Sequence, residues 1–523
     1  MDPLQTMPGQ TTPSVPPIDS LNPVPPAPAD MNPQTAPTVP PTNPAAATPL
    51  TSTEIPLSTL PQTFGAQSPF ANNPAGTPPP AMPSHPMLEE EHSGMPIFIK
   101  IAAVLLVVFA VIALVLFLFS MRKASSDTQK VTLTYWGLWE DKSVMANVLN
   151  DFTKQHPNIT VDYIQQDPKQ YTERLITRIQ GGNGPDVFRF HNTWLPFLQP
   201  LMTPLSKETI SPQDFNTNYY PVIRSDLSKN GAIYGVPLEI DTLAMFVNTD
   251  LLKKAGVSVP TTWNDFVTDA RTLTVVDANG KIQTAGAAIG TYDNVTHAPD
   301  ILSMLFVQSG VNPINFSQNA QNAGDALSFY TSFALGKTAV WDSSQEQAWS
   351  MFAKGKVAIY FGYSWDVFQI KAVNPTLPFA VYPVPHLPGS KATIASYWAE
   401  GISNKSTHQQ EAQLLLAYLS KKETLQKLYT EESKVRLFGE PYPRIDLAST
   451  VKDNPYIAPF LAAAPDAVSS YFVGNTYDSA VNIPLDNYLG DAVRSVLSNT
   501  SAQTAITTLS QGTAQVLSRY GIK

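Results

Sequence analysis

From residue 131 the apolar positions change period several times. "VTLTYWGLW" alternates apolar and polar residues as a half-buried strand does, and "SVMANVLNDFTKQHP" then carries Val144, Val148, Leu149 and Phe152 at helical spacing before Pro157. "ITVDYIQ" returns to alternation, "YTERLITRIQGGNG" reads as an amphipathic helix stopped by glycines, and "PDVFRF" as a third strand. Strands alternating with helices at this rhythm predict an α/β protein with parallel sheets covered by helices on both faces. In such sheets ligands bind in the crevice at the carboxyl ends of the strands. Farther on, "KVAIYF" predicts another strand, and "VPLEIDTLAMFVN" (236–248) an apolar buried strand. Its two carboxylates, Glu239 and Asp241, would share one face of that strand, about 7 Å apart.

The pattern before residue 131 is different. Ile101 to Phe119 is a run of nineteen uncharged apolar residues. As a helix it would span roughly 29 Å, the thickness of a hydrocarbon core, so a transmembrane helix is expected over 96–121, followed by a polar linker at 122–130. Its length and its distance from the first residue speak against a cleavable signal peptide. Residues 1–95 hold 24 of the 48 prolines among Thr, Ala, Asn and Ser, a composition that cannot bury enough apolar area to offset its ordering entropy. A disordered, partly polyproline II segment is expected there, a spacer, although "PVPPAP" could dock to an aromatic groove.

Charge narrows the classes. The first 99 residues contain no Lys or Arg, so all 33 basic residues face 35 of the 42 acids in the rest of the chain. That balance excludes the basic face a nucleic-acid partner requires. The chain has no cysteine, hence neither disulfides nor a lipidated Cys, and the helix is the visible anchor. Lys100 flanks it on one side and Arg122, Lys123 and Lys130 on the other, which by the positive-inside bias would place the large C-terminal part inside the cell.

Taken in order, "VTLTYWGLWED", "FTKQHPNITVDY", "GGNGPDVFRFHNTW", "NGAIYGVPLEIDTLAMFVNTDLLKKAGV", "PTTWNDF", "FAKGKVAIYFGYSWD" and "GISNKSTHQQEAQLLLAYLS" resemble the bacterial extracellular solute-binding proteins of carbohydrate ABC importers, the maltose-binding type. The resemblance covers nearly all of 131–523. It implies a type II periplasmic-binding-protein fold, two α/β lobes joined by a hinge, with lobe 1 at about 131–238 and 398–440 and lobe 2 at about 242–397 and 441–523. It also implies a monomer without cofactor or metal, a carbohydrate closed between the lobes and delivered to permease subunits, and residues 131–523 outside the cell with the N-terminal segment inside, against the charge bias. Secreted relatives carry a signal peptide or a lipidated Cys; here the helix would hold the receptor at high effective concentration beside its permease.

A sugar presents hydroxyls at its equator and C–H patches on its faces, so its site needs carboxylates, amides or Arg beside flat rings. At the first strand end stand Trp139 and Glu140, with Trp136 and Asp141 read equally as packing and helix cap. After "GPDVFRF" come His191, Asn192 and Trp194; a structural histidine is the plain alternative, and no other His or Cys stands nearby at metal-ligand spacing. In "YFGYSWDVF", Tyr363, Trp365 and Asp366 match the family's turn that opens a helix toward the ligand, with Trp365 as stacking platform. Trp398 and Glu400 fall at a hinge crossing, and Arg444 in "FGEPYPR" either meets ligand or pairs with a neighbouring acid. The resemblance places Glu239 and Asp241 at the first crossover, facing the cleft, with a helix cap or a pair with Arg444 as the bland alternative. The same aromatic and acidic set would suit a cationic or amine solute. A glycosidase using Glu239 and Asp241 is allowed by spacing alone, and a membrane sensor is a variant of the binding reading.

Overall fold

Val131, Leu133 and Tyr135 are buried and Thr132 exposed, so the alternating opening stretch forms strand β1 (Val131–Gly137) with one face in the core. The computed structural model describes Ile101, residues 105–116 and residues 129–522. The segment 1–95, and with it the expectation of disorder, lies outside the described residues. Helix α1 (Lys142–Gln155) starts at the cap Asp141, whose carboxylate accepts from Ser143 N, and buries Val144, Val148, Leu149 and Phe152. Strand β2 (Ile159–Gln165), helix α2 (Tyr171–Gln180) and strand β3 (Val187–His191) follow as the periodicity predicts. The chain continues through β4 (Met202–Thr203), β5 (Val236–Pro237), β6 (Ala244–Asn248), β7 (Val275–Val276), β8 (Ile282–Ala287), α3 (Ala298–Gln308), α4 (Ala320–Ser332), β9 (Val357–Gly362), α5 (Asp366–Val373), β10 (Phe379–Tyr382), β11 (Trp398–Ser403), α6 (Lys422–Glu432), α7 (Asn482–Leu497) and α8 (Ala502–Ser518).

Two principal sheets result. The first runs β2-β1-β3-β11-β4, with β5 also on β11; the second runs β10-β6-β9-β8-β7. β1 pairs in parallel with β2 and β3, but β11 lies antiparallel to β3 and β6 antiparallel to β9, so both sheets are mixed rather than parallel. The chain reaches β11 only after the strands of the other sheet, and β11 joins the first sheet antiparallel to β3. The register then sets Trp398 opposite His191 and Glu400 opposite Arg189.

The stretch 236–248 is not one strand. β5 ends at Pro237 in the first sheet and β6 begins at Ala244 in the second, so residues 238–243 are a crossing. Their backbone groups pair with the other crossings instead of a ladder: Ile240 N donates to Pro441 O at 3.0 Å, Leu243 N to Ile394 O at 2.8 Å, and Ser396 N to Asp241 O at 3.0 Å. After β11, α6 packs on α1 of the first lobe, whereas Phe460 packs on Phe246 of β6, so the chain crosses again between them. Helices α7 and α8 pack against α4 on the second lobe.

Ile101 and residues 105–116 are helical, and apolar side chains from Leu105 to Leu116 stand exposed on it. Among the described residues no helix is long and apolar enough to cross a membrane; the rest of the expected span 96–121, and most of the linker, lie outside them.

Candidate functional site

The two sheets face each other across a cleft of about 420 Å³. Its first-lobe wall follows from the sheet register. His191 ends β3 and Trp398 begins β11 beside it, ring centroids 5.1 Å apart, while Trp139, just past β1, meets Trp398 edge to face at 5.4 Å. Trp139 is 40% exposed, an indole standing free of the core beside a cleft. The second-lobe wall is the turn after β9. Trp365 lies flat on Tyr363 with centroids 4.4 Å apart and planes 15° from parallel, and its half-buried ring, with Trp349, faces the cleft.

This turn is built rigidly. One oxygen of Asp366 accepts from Tyr363 N at 3.0 Å, from the Tyr360 hydroxyl at 3.0 Å and from His297 Nε2 at 2.8 Å, and the other from Gln369. A Cβ at Gly362 would collide with the Asp366 carboxylate. Asp300 accepts from the Tyr363 hydroxyl at 2.7 Å and from Gly474 N at 3.2 Å, joining the turn to the rim loop that carries Asn475 and Tyr477. Both of those residues have positive φ, 63° and 57°, a strained backbone that concentrates at binding sites. Burial opposes a charge on His297, but Asp366 and Asp300 outweigh it and raise the imidazole to about 10. His191 has no such partner, and burial lowers it to about 3, so its ring is neutral. Its nitrogens contact Thr193 Oγ1 at 2.9 Å and Ser396 Oγ at 3.1 Å.

Of the residues expected from sequence, the cleft brings together Trp139, His191, Glu239, Trp365, Asp366 and Trp398. The others stand elsewhere, each for a physical reason. Glu140 and Glu400 are buried against the fully buried Arg189, which meets Glu400 through Nε at 2.7 Å and Glu140 through Nη1. Asp241 is turned inward, accepting from Ser364 N and Thr242 N, each at 2.8 Å, so it staples the crossing to the Trp365 turn. Burial pushes its carboxyl well above the usual range despite those bonds. Tyr363 lies beneath Trp365 as its support. Trp194 packs behind Trp398 and donates to Asn482 Oδ1 at 3.2 Å. Asn192 donates to Asp226 at 3.0 Å and Ser469 at 2.7 Å and lines a different cavity. Arg444 is held by Asp214 at 2.8 and 2.9 Å and by Asp446, the ion-pair alternative with other acids than Glu239 or Asp241.

Sequence reasoning missed Thr296, Trp349, Gln369, Ser396, Arg436, Glu440, Gly474, Asn475 and Tyr477, which also line the cleft. Ser396 stands two residues before Trp398, and Glu440 falls in the "FGEPYPR" stretch that holds Arg444; the "GNTY" rim loop carries no local signal.

A family model for bacterial extracellular solute-binding proteins matches residues 137–426. The chain belongs to the bacterial extracellular solute-binding protein family. This solute-binding protein is 25% identical over 327 residues to the multiple sugar-binding protein of Streptococcus mutans, covering 59% of this chain and 75% of the relative. It is 24% identical over 345 residues to the maltodextrin-binding protein of Bacillus subtilis, covering 64% and 79%. Among solved structures, the cyclic α-maltosyl-1,6-maltose binding protein of Arthrobacter globiformis superposes with a TM-score of 0.61 at 16% identity, covering 75% of this chain and all of the other, a likeness of fold. Membership makes the chain a substrate-binding protein, not an enzyme, and corrects the glycosidase alternative. The geometry agrees, since Asp241 has both oxygens bonded inside the protein and cannot flank a scissile bond with Glu239.

Proposed function

We propose that this solute-binding protein captures a carbohydrate, an oligosaccharide or sugar derivative, between its lobes and delivers it to the permease subunits of an ABC importer. The observation that carries the reading is the convergence of Trp139, Trp349, Trp365, Trp398 and Tyr477 with Glu239, Asp366, Glu440 and Arg436 on one cleft. Flat rings suit the C–H faces of pyranoses, and charged hydrogen bonds, each worth about 1.5–3 kcal/mol when water is excluded, suit their hydroxyls. The sugar-binding relatives support the same reading. The lobes, divided at about 238–242, 397–398 and 440–441, close by rotation about the crossings and present a surface to the permease.

The chain is held to the cell membrane by residues 96–121, with the binding domain outside, residues 1–95 inside, and one copy as the working unit. The support is the uninterrupted apolar run and the apolar side chains that stand exposed along its described helical part. Two experiments test this. Saturable heats or thermal shifts with members of an oligosaccharide panel are expected, and none across the panel would reject the ligand class. The chain should stay in the membrane pellet after an alkaline wash, and protease added to intact cells should digest the binding domain; release by the wash would reject the anchor.

A further inference from the structure

In the cleft the carboxylates outnumber the basic groups. Of the three carboxylates, Asp366 is paired with His297 at 2.8 Å and Glu440 with Arg436 at 2.7 Å, while among the described residues no basic side chain is paired with Glu239. Arg436 is shared with Glu432 at 2.9 Å, so its guanidinium is already committed to two carboxylates. Glu239 is 8% exposed, yet it opens onto the cleft. Glu239 lies in the first crossing and Glu440 beside the last, and the Ile240 to Pro441 hydrogen bond clamps these two segments side by side. A buried carboxylate without a cation is costly unless it is protonated or a cation arrives. The rings around it, Trp139, Trp349, Trp365 and Trp398, present faces that attract a cation and would exclude an anion.

We propose that the preferred ligand is a saccharide bearing a protonated amine, with its ammonium against Glu239 and Glu440 and its pyranose faces on the tryptophans. This rests on the carbohydrate reading above and names the class within it. An ammonium offers three donors and no acceptor, which matches a wall made of carboxylate oxygens; a neutral hydroxyl leaves the charge excess in place. Burial, and then the charge of Glu440, push the Glu239 carboxyl well above the usual range and favour its protonated form when no cation is near. The other groups facing it do not change the sign: Arg189 is committed to Glu140 and Glu400, Arg436 to Glu432 and Glu440, and His191 is neutral. Seating an ammonium ionises Glu239 and releases that proton to solvent. Affinity for the amine therefore rises with pH until the amine itself loses its proton, whereas affinity for a neutral sugar does not rise.

The test is calorimetry on the full chain in a detergent without a sugar headgroup, using β-1,4-linked glucosamine trimer, its N-acetylated form, cellotriose, maltotriose and spermidine. The glucosamine trimer is expected to bind at least ten-fold more tightly than the neutral trimers, with proton release, and Glu239→Gln and Glu440→Gln are each expected to remove that preference while leaving the thermal unfolding transition in place. Neutral trimers binding as tightly as the amine, or an amine preference untouched by both variants, overturns this inference and leaves the carbohydrate reading standing. Binding of none of the five overturns this inference, and binding of spermidine alone overturns both.

Discussion

Replacing Arg189 by Met separates a folding role from a ligand role for two carboxylates that sequence assigns to the ligand. Arg189 is fully buried in β3 and is the shared counter-charge of Glu140, after β1, and Glu400, in β11. Methionine fills much of the volume but leaves both carboxyls buried without a cation. Removing one member of a buried charge network costs about 3–5 kcal/mol. The sign of its pH dependence follows from Glu400, which burial raises to about 7 even beside Arg189. The folded state therefore binds more protons than the unfolded one, whose carboxyl titrates at its ordinary value; losing Arg189 raises the folded value further. The penalty is accordingly smaller at pH 5, where the carboxyl is neutral, than at pH 8. Urea unfolding of the full chain followed by circular dichroism should show the midpoint fall at unchanged slope, more at pH 8 than at pH 5, while the folded fraction keeps its ligand affinity within about three-fold, well under the 1.4 kcal/mol of a ten-fold change. A loss of stability below about 1 kcal/mol together with a ten-fold loss of affinity would return Glu140 and Glu400 to the ligand.

Other substitutions probe the remaining parts of the cleft. Trp365→Ala should weaken saccharide binding ten-fold or more, about 1.4 kcal/mol, with little change in unfolding temperature, as read by titration of intrinsic fluorescence; unchanged affinity would remove Trp365 from the site. Asp241→Asn, which leaves Ser364 N or Thr242 N facing an NH₂ group, should cost about 1–3 kcal/mol of stability in a urea melt and act on affinity only secondarily. Glu239→Gln, by contrast, should lower affinity with the melt nearly unchanged. The stability contributed by the His297 imidazolium is complete below its unfolded value of 6.5 and is lost as pH rises through about 10, so His297→Gln should flatten the fall in melting temperature between pH 7 and pH 10.

Local periodicity carries the first lobe well, because β1, α1, β2, α2 and β3 each bury one face against a neighbour close in sequence. It fails at 236–248, where burial on all sides imitates a strand although residues 238–243 cross between sheets. Apolar content reports burial there and says nothing about which backbone partners are used. The site shows the same division. Trp139, Trp365 and Trp398 stand at strand ends, where the topology opens a crevice, and are legible. Glu140 and Glu400 also stand near strand ends, yet only the pairing of β11 with β3 reveals that Arg189 neutralises them. The partners of Arg444, and the rim loop with Asn475 and Tyr477, depend on contacts between segments far apart in sequence.

The most direct measurement is a crystal structure of the protein grown with the tightest-binding member of the saccharide panel. Density is expected for a sugar between the lobes, with one pyranose face on Trp365, a second ring near Trp139 and Trp398, and polar groups at Glu239 and Glu440. A ligand bound elsewhere, or a sugar in the cleft that touches none of these indoles, would contradict that expectation.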